Sequence, residues 1–323
     1  MSRYLVAFPD DTVRPILDAI DQAKLSLRIK MFVFSDSRIL SAVIKAHRRG
    51  VQVRVMLNPT RRNGKTENQE THAHLASAGV EVIDSTPVFE VTHEKSMIVD
   101  EKSAWIMSLN WETRNLTETR DYAVVTSHAH EVQEIVECFE ADWSRRPFNP
   151  GDCSHMIWCV GNARQRISQF IDDAKHSLWV QNERYQDPLI IEHLVRANRR
   201  GVNVHIMARP PHVLKEEKLI EGVAGLRILD DVGAKVHKIH GLKLHAKLMY
   251  ADRARAIVGS INLAPGSFNS RRELAIEVRD REVVDRVRQL VHYDWKNSRP
   301  MDLSDSGLLE DLGERGCEMV PAL

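Results

Sequence analysis

Cysteine is scarce in this chain, with four in 323 residues: Cys138, Cys153, Cys159 and Cys317. No two of them have the short spacing of a zinc-binding pair, so the sequence gives no support for a structural zinc site. A disulfide framework belongs to exported proteins, and we expect these thiols to stay reduced. Cys138 lies on the apolar face of a predicted helix, where it fills the core.

Long hydrophobic runs are also missing. No window approaches the roughly 20 apolar residues that span a bilayer. The first residues lack the apolar core of a secretory signal. We therefore expect no transmembrane segment and a cytoplasmic protein whose membrane contact, if any, is peripheral.

A charge excess of either sign is absent as well. The chain has 45 basic and 45 acidic residues, and its formal net charge is zero. The summed field therefore favours neither nucleic acid nor an anionic membrane, although a local patch could still bind either.

What the sequence does contain is one stretch that occurs twice, at 93–143 and at 245–295. Each copy opens with a His-x-Lys-x4-Asp string, and corresponding residues are 152 positions apart. The first string consists of His93, Lys95 and Asp100, and the second of His245, Lys247 and Asp252. The later members of each copy are Ser108, Asn110 and Asp121 in the first and Ser260, Asn262 and Glu273 in the second. An Asp-Trp pair closes both copies, at Asp142-Trp143 and Asp294-Trp295.

Helical and strand patterns alternate ahead of the first copy. Hydrophobic periodicity predicts helices at about 11–24, 38–48 and 66–78, and strands at about 25–34, 51–57 and 80–83. The second half repeats this opening at an offset of 151. The whole chain is therefore predicted to be a tandem duplication of an α/β unit. We expect halves at 1–148 and 149–297, followed by a tail at 298–323 with a short helix around 308–312.

The paired residues fit phosphoryl chemistry. Two facing histidines would place a nucleophile and a leaving-group acid on opposite sides of a phosphorus atom. Lys95, Lys247, Asn110 and Asn262 would stabilise charge on the non-bridging oxygens. Asp121 and Glu273 would each orient the imidazole of their own copy. The paired lysines argue against a bound cation, and we expect no metal and no cofactor.

Both motifs together resemble the phospholipase D superfamily. The resemblance spans nearly the whole chain, and segments such as VGSINLAPGSFNSRRELAIEV look like bacterial cardiolipin-synthase-like proteins. It implies a monomer of two similar α/β/α-sandwich halves, with mixed sheets related by a pseudo-twofold axis. It also implies one active site between the halves and phosphohistidine catalysis on phosphodiesters. The motif residues Asp100 and Asp252 would be structural.

Two departures from the family pattern stand out. Met107 precedes Ser108 where the second copy has Gly259, and we expect it to crowd a turn or narrow the site. Asp121 is shorter than its counterpart Glu273, so the two imidazoles would be held differently.

Another asymmetry concerns the strand predicted at about 25–34 and its counterpart in the second half. The first half has Phe32-Val33-Phe34 where the second has Glu183-Arg184-Tyr185. Buried polar groups need partners, so these three residues are predicted to bind substrate. An ion-pair network within or between the halves is the alternative.

Three functions stay open for this chain. The first is hydrolysis or transfer of the phosphatidyl group of phospholipids, with peripheral membrane contact. The second is a metal-independent nuclease, for which the basic loop at 61–65 would follow the backbone. Against it stand the zero net charge and the lack of aromatic residues between basic ones. The third is a non-catalytic phosphate-binding protein.

Overall fold

The computed structural model describes residues 2–60, 64, 66–151, 153–210 and 216–308, without the side chains of 216–221. The basic loop at 61–65 and the tail helix predicted around 308–312 lie almost wholly outside these residues. None of the described helices is both long and apolar enough to cross a membrane.

The described residues of the first half form thirteen elements. They are β1 (Arg3–Phe8), α1 (Arg14–Gln22), β2 (Ser26–Met31), α2 (Ser37–Arg48), β3 (Gln52–Leu57), α3 (Gln69–Ser77), β4 (Glu81–Asp84), β5 (Val91–Thr92), β6 (Ser96–Val99), β7 (Ser103–Met107), α4 (Thr113–Thr117), β8 (Thr119–Thr126) and α5 (Ala129–Trp143). The predicted helices and strands correspond to α1 to α3 and β2 to β4, and β1 was not predicted. The turn before α2 is capped by Asp36, whose carboxylate accepts hydrogen bonds from the N–H groups of Arg38 and Ile39.

The second half repeats this order. It comprises β9 (Met156–Cys159), α6 (Ala163–Asp172), β10 (Ser177–Asn182), α7 (Pro188–Arg199), β11 (Asn203–Ala208), α8 (Glu216–Asp231), β12 (Lys235–Ile239), β13 (Lys243–Leu244), β14 (Lys247–Ala251), β15 (Arg255–Gly259), α9 (Pro265–Ser270), β16 (Arg271–Val278), α10 (Arg281–Lys296) and β17 (Ser298–Pro300). Part of the predicted tail is thus a strand, because β17 pairs with β12.

Two mixed sheets organise the molecule. The first has the strand order β1-β8-β7-β6-β2-β3-β4, and the second has the order β17-β12-β11-β10-β14-β15-β16-β5. In each sheet the three strands that alternate with helices run parallel, and most of the others run antiparallel. The predicted tandem duplication with two mixed sheets is confirmed.

The core has three parts. One buried cluster lies between α1 to α3 and the first sheet, and a second lies between α6 to α8 and the second sheet. The third combines residues of both sheets with the apolar faces of α5 and α10. Since this central cluster draws on both halves, burial of apolar surface holds the two halves together.

Each half contributes a two-residue strand to the sheet of the other half. β5, from the first half, pairs with β16 of the second sheet through Val91 and Thr92. β13, from the second half, pairs with β8 of the first sheet through Lys243 and Leu244. Each of these two strands comes directly before a His-x-Lys motif. The strand exchange therefore places each motif against the opposite half.

Buried ion pairs join the halves on either side of the central core. Arg272 on β16 binds Asp142 of α5 with two hydrogen bonds of 3.1 and 2.9 Å. Arg120 on β8 binds Asp294 of α10 in the same way, at 2.8 Å for Nη2 to Oδ1. The aspartates that close the two sequence repeats therefore accept an arginine from the opposite half.

The first of these clusters contains an additional buried cation. Lys30 Nζ lies 2.9 Å from Glu94 Oε2 and 2.8 Å from Asp142 Oδ2. Glu94, Cys138 and Asp142 form the only group of three potential metal ligands among the described residues. The ammonium group, which is also 3.5 Å from Cys138 Sγ, occupies the position between them.

We expect Lys30→Met to destabilise the protein by about 3–5 kcal/mol, because it leaves the buried carboxylate of Glu94 without its counter-ion and that of Asp142 with Arg272 alone. Urea unfolding followed by fluorescence measures this loss. Lys45→Met removes an exposed lysine on α2 and serves as the control, with an expected change within about 0.5 kcal/mol. Equal midpoints for the two variants would contradict the role given to Lys30.

Candidate active site

His93 lies between β5 and β6, at the junction of the two halves. Its backbone N–H donates to the carbonyl oxygen of Arg272 over 2.9 Å, as part of the strand exchange. Its Nδ1 lies 2.9 Å from Glu273 Oε2. The ring of Phe32 approaches its imidazole edge-on, with centroids 4.7 Å apart. With Nδ1 held by the carboxylate, Nε2 is the nitrogen left for chemistry.

His245 has the reciprocal arrangement. Its Nδ1 lies 2.9 Å from Asp121 Oδ1 and 3.1 Å from Oδ2. The expectation that each carboxylate orients the imidazole of its own copy is therefore wrong. β5 carries His93 to Glu273, and β13 carries His245 to Asp121. The site has two such dyads, and each is made from both halves.

The two lysines are buried next to the histidines. Lys95 Nζ donates to the carbonyl oxygen of His93 over 2.7 Å and lies 4.8 Å from the ring centroid of Phe32. Lys247 Nζ likewise donates to the carbonyl oxygen of His245. Burial, and then repulsion by Lys247, place the pKa of Lys95 well below its usual range. A bound anion would neutralise this concentration of positive charge.

The serines and asparagines of the two strings do different things. Ser108 Oγ donates to Asp121 Oδ1 over 2.5 Å and accepts from a backbone N–H. Ser260 Oγ likewise accepts the N–H of Leu274 over 3.1 Å. The serine hydroxyls thus fix the strands that carry the carboxylates. In contrast, Asn110 and Asn262 each have a buried amide oxygen with no hydrogen-bond partner among the described residues.

The two dyads differ electrostatically. Burial acts to raise the pKa of the Asp121 carboxyl, but His245, Lys247 and the Ser108 hydroxyl outweigh it, and that pKa is lowered. Burial raises the pKa of Glu273, whose Oε1 has no hydrogen-bond partner among the described residues. Burial also lowers the pKa of His93 well below 6.5, and nearby cations lower it further.

The motif aspartates are structural, as the resemblance implies. The carboxylate of Asp100 accepts three backbone N–H groups, those of residues 24–26, at 2.7–3.1 Å. Asp252 does the same for residues 175–177. Each carboxylate fixes the turn before a central strand and lies away from the histidines.

The three residues predicted to bind substrate separate in the structure. Glu183 lies at the site, 3.5 Å from Lys247 Nζ and 3.0 Å from Arg209 Nη1. Arg184 is exposed. Tyr185 is in the core, with its hydroxyl 3.1 and 3.0 Å from two backbone carbonyl oxygens, so the prediction that it binds substrate is wrong. The alternative, an ion-pair network, is present within the second half, because Glu183 pairs with both Arg209 and Lys247. The preceding Gln181 adds a hydrogen bond between the halves, to Tyr122, and another to Asp294.

Met107 does not narrow the site. Its side chain is fully buried in the core between the first sheet and its outer helices. At Gly259 a β-carbon would lie 2.3 Å from the carbonyl oxygen of Leu274 on β16. The close approach of β15 and β16 therefore requires glycine at position 259. At the corresponding position of the first half, the side chain of Met107 packs in the core instead.

Two residues at the site were missed in the sequence. Phe32 contacts both His93 and Lys95, and its alignment with Glu183 in the repeat was the available signal. Arg271 stands two residues before Glu273 on β16, and strand alternation places both on one face.

The chain matches the family model described as "Cardiolipin synthase, PLD-like domain" twice, over residues 16–143 and 167–295. A polyphosphate kinase of Vibrio parahaemolyticus is 22% identical over 337 residues, covering 97% of this chain and 47% of the kinase. Human mitochondrial cardiolipin hydrolase is 33% identical over 136 residues, covering 42% of this chain and 51% of the hydrolase. The chain thus spans about half the length of these curated relatives.

The solved structure of phosphatidylserine synthase from Haemophilus influenzae has a similar fold. The TM-score is 0.76 at 10% identity, over 98% of this chain and 93% of the synthase. The likeness therefore concerns the arrangement of both halves.

We expect the imidazole of His93 to titrate below pH 6.5, since burial and neighbouring cations disfavour its charged form. Lys95→Met should raise this midpoint because it removes the strongest of those charges. Histidine NMR as a function of pH measures both values. Arg281→Met, which removes an exposed cation of α10, should leave the midpoint unchanged. A His93 midpoint at or above 6.5 in the unaltered protein would contradict the site's electrostatics.

Proposed function

Because the chain belongs to the phospholipase D superfamily, we propose that it is a phosphodiesterase that acts through a phosphohistidine on phospholipids. It would hydrolyse or transfer the phosphatidyl group. The observation that carries this proposal is the pair of histidines, each held at Nδ1 by a carboxylate of the opposite half. Two buried lysines beside them supply the positive charge that a phosphate needs.

In the proposed mechanism His93 Nε2 attacks the phosphorus atom, and the bond to the leaving oxygen breaks. His245, protonated, gives its Nε2 proton to the departing alkoxide. His245 then takes a proton from water or an alcohol, whose oxygen attacks phosphorus as the P–N bond breaks. This second step returns both histidines to their starting states.

The two dyads support this division of roles. The lowered pKa of His93 keeps it neutral near pH 7, as a nucleophile must be. Asp121, with its lowered pKa, keeps its negative charge beside His245 and so stabilises an imidazolium. Exchanging the roles would require Glu273, whose pKa is raised, to supply that charge instead.

The lysines and asparagines would act on the transferred phosphoryl group. Lys95 and Lys247 offer donors to its non-bridging oxygens, where charge develops in the transition state. The asparagines would donate to those oxygens through their Nδ2 amides, because their Oδ1 atoms, unpartnered among the described residues, can only accept. These groups take the part that a divalent cation plays in other phosphoryl-transfer sites.

Lipid is the proposed substrate because of the relatives. The description of the matched family names cardiolipin synthase, and one curated relative is a cardiolipin hydrolase. The site also offers an aromatic ring, that of Phe32, beside the reacting groups. The location of the protein and its contact with a membrane stay predictions.

We expect His245→Asn to form a stable phosphohistidine with a p-nitrophenyl phosphodiester, because p-nitrophenolate leaves without a proton. His93→Asn should form none. Mass spectrometry of rapidly quenched digests, kept from acid, identifies the modified peptide. The quenched unaltered protein is the control for transient labelling. A modified peptide containing His245 would reverse the roles of the two histidines.

Turnover should be unaffected by EDTA, and phospholipid vesicles should be a better substrate than single- or double-stranded DNA. The assay compares all three at equal phosphodiester concentration, with and without glycerol to detect transfer. Loss of activity in EDTA that a divalent ion restores would refute the metal-free mechanism. Preference for DNA would support the nuclease alternative, and no turnover of any substrate would support a phosphate-binding protein.

A further inference from the structure

Arg271 is a cation at the active site that has no ion-pair partner within the part of the chain that the structure describes. It is the first residue of β16, on the same face as Glu273. Its Nε is buried and makes no hydrogen bond, and no carboxylate of the described residues forms an ion pair with it. A buried donor left unpaired costs about 1–3 kcal/mol, so this side chain is suited to a ligand.

Arg271 is paired in register with Val91 on β5, two residues before His93. Burial is the main cause of the lowered pKa of His93, and the charge of Arg271 is among the further causes. The side chain packs on the start of α9, where a β-carbon built at Gly266 would lie 3.3 Å from Arg271 Nη2. Glycine at that position leaves room for the arginine beside the imidazole.

On the His245 side, no arginine with a buried and unpartnered guanidinium nitrogen is found among the described residues. The residue that corresponds to Arg271 in the first half is Thr119, whose hydroxyl donates to Asp121 over 2.5 Å. Glu183 is also on this side, 3.5 Å from Lys247 Nζ. Its carboxylate, whose pKa is lowered, repels further negative charge there. Arg209, the cation near Glu183, is therefore already neutralised by a carboxylate, whereas Arg271 has no such partner among the described residues.

We propose that Arg271 binds a second phosphate of the substrate, next to the reacting phosphate and on the His93 side of the pocket. This rests on the proposed function, which puts the reacting phosphate between His93 and His245. A guanidinium presents two parallel N–H donors that match a phosphate. The substrate class is a compound with two phosphates joined by a short link. Glycerol-bridged lipids, a nucleic-acid backbone and phosphoanhydride chains all share this chemistry.

Calorimetric titration tests the inference without requiring turnover. The ligands are inorganic phosphate, pyrophosphate, glycerol bisphosphate and thymidine bisphosphate. We expect at least one of the three bisphosphates to bind tenfold or more tightly than phosphate. Arg271→Gln should reduce that ratio to near one. The bisphosphate with the greatest advantage identifies the source: an anhydride chain, a lipid headgroup or a nucleic acid.

Two variants complete the experiment. Arg281→Gln removes an arginine whose side chain is 95% exposed on α10, and it should keep the full ratio. Arg271→Lys keeps the charge but not the paired N–H donors of the guanidinium, and it should give an intermediate affinity ratio. This variant also tests the inference if Arg271→Gln fails to fold.

Two results would overturn the inference. One is that no bisphosphate binds better than phosphate to the unaltered protein. The other is that Arg271→Gln weakens phosphate and bisphosphates by the same factor. Failure of the proposed function is recognised separately. A missing phosphohistidine together with an Arg271-dependent ratio would mean that the chain binds bisphosphates without cleaving them.

Discussion

The exchange of two short strands between the halves is the constraint on which the site depends. β5 and β13 have only two residues each, yet they fix the positions of His93 and His245 by backbone hydrogen bonds to the opposite sheet. Because each histidine lies against the other half's carboxylate, neither half contains a complete dyad. The buried arginine–aspartate pairs and the shared central core keep the two sheets in register for this exchange. Stability and the assembly of the site thus have the same structural origin.

The duplication is symmetric in its backbone but not in its charges. Asp121 receives hydrogen bonds from Ser108 and Thr119 in addition to His245, which favours its ionised form. Glu273 holds His93 with one oxygen, while its other oxygen is unpartnered among the described residues. Such differences in hydrogen bonding separate the protonation states of two similar dyads. Glu183, where the first half has Phe32, adds to this asymmetry.

Sequence reasoning succeeded where the repeat itself carried the information. The spacing of the two motifs singled out the histidines, lysines and carboxylates that the structure brings together, and the periodicity located α1 to α3 and β2 to β4. It failed on which carboxylate serves which histidine, because a two-residue strand has no detectable periodicity. It also misjudged Tyr185, since one substituted run contained a site residue, an exposed residue and a core residue. Arg271 was missed because its neighbour Arg272 carries the same charge, although strand alternation with Glu273 indicated which of the two shares the face of the site.

The central claim is that each histidine is held by the carboxylate of the opposite half. Proton NMR of the 323-residue chain tests it through the hydrogen-bonded Nδ1 protons, assigned with His93→Asn and His245→Asn. The account predicts that Glu273→Gln shifts or removes the Nδ1 signal of His93 and leaves that of His245 in place. Asp121→Asn should do the reverse. A response in which Asp121→Asn perturbs the His93 signal and Glu273→Gln perturbs that of His245 would contradict the account.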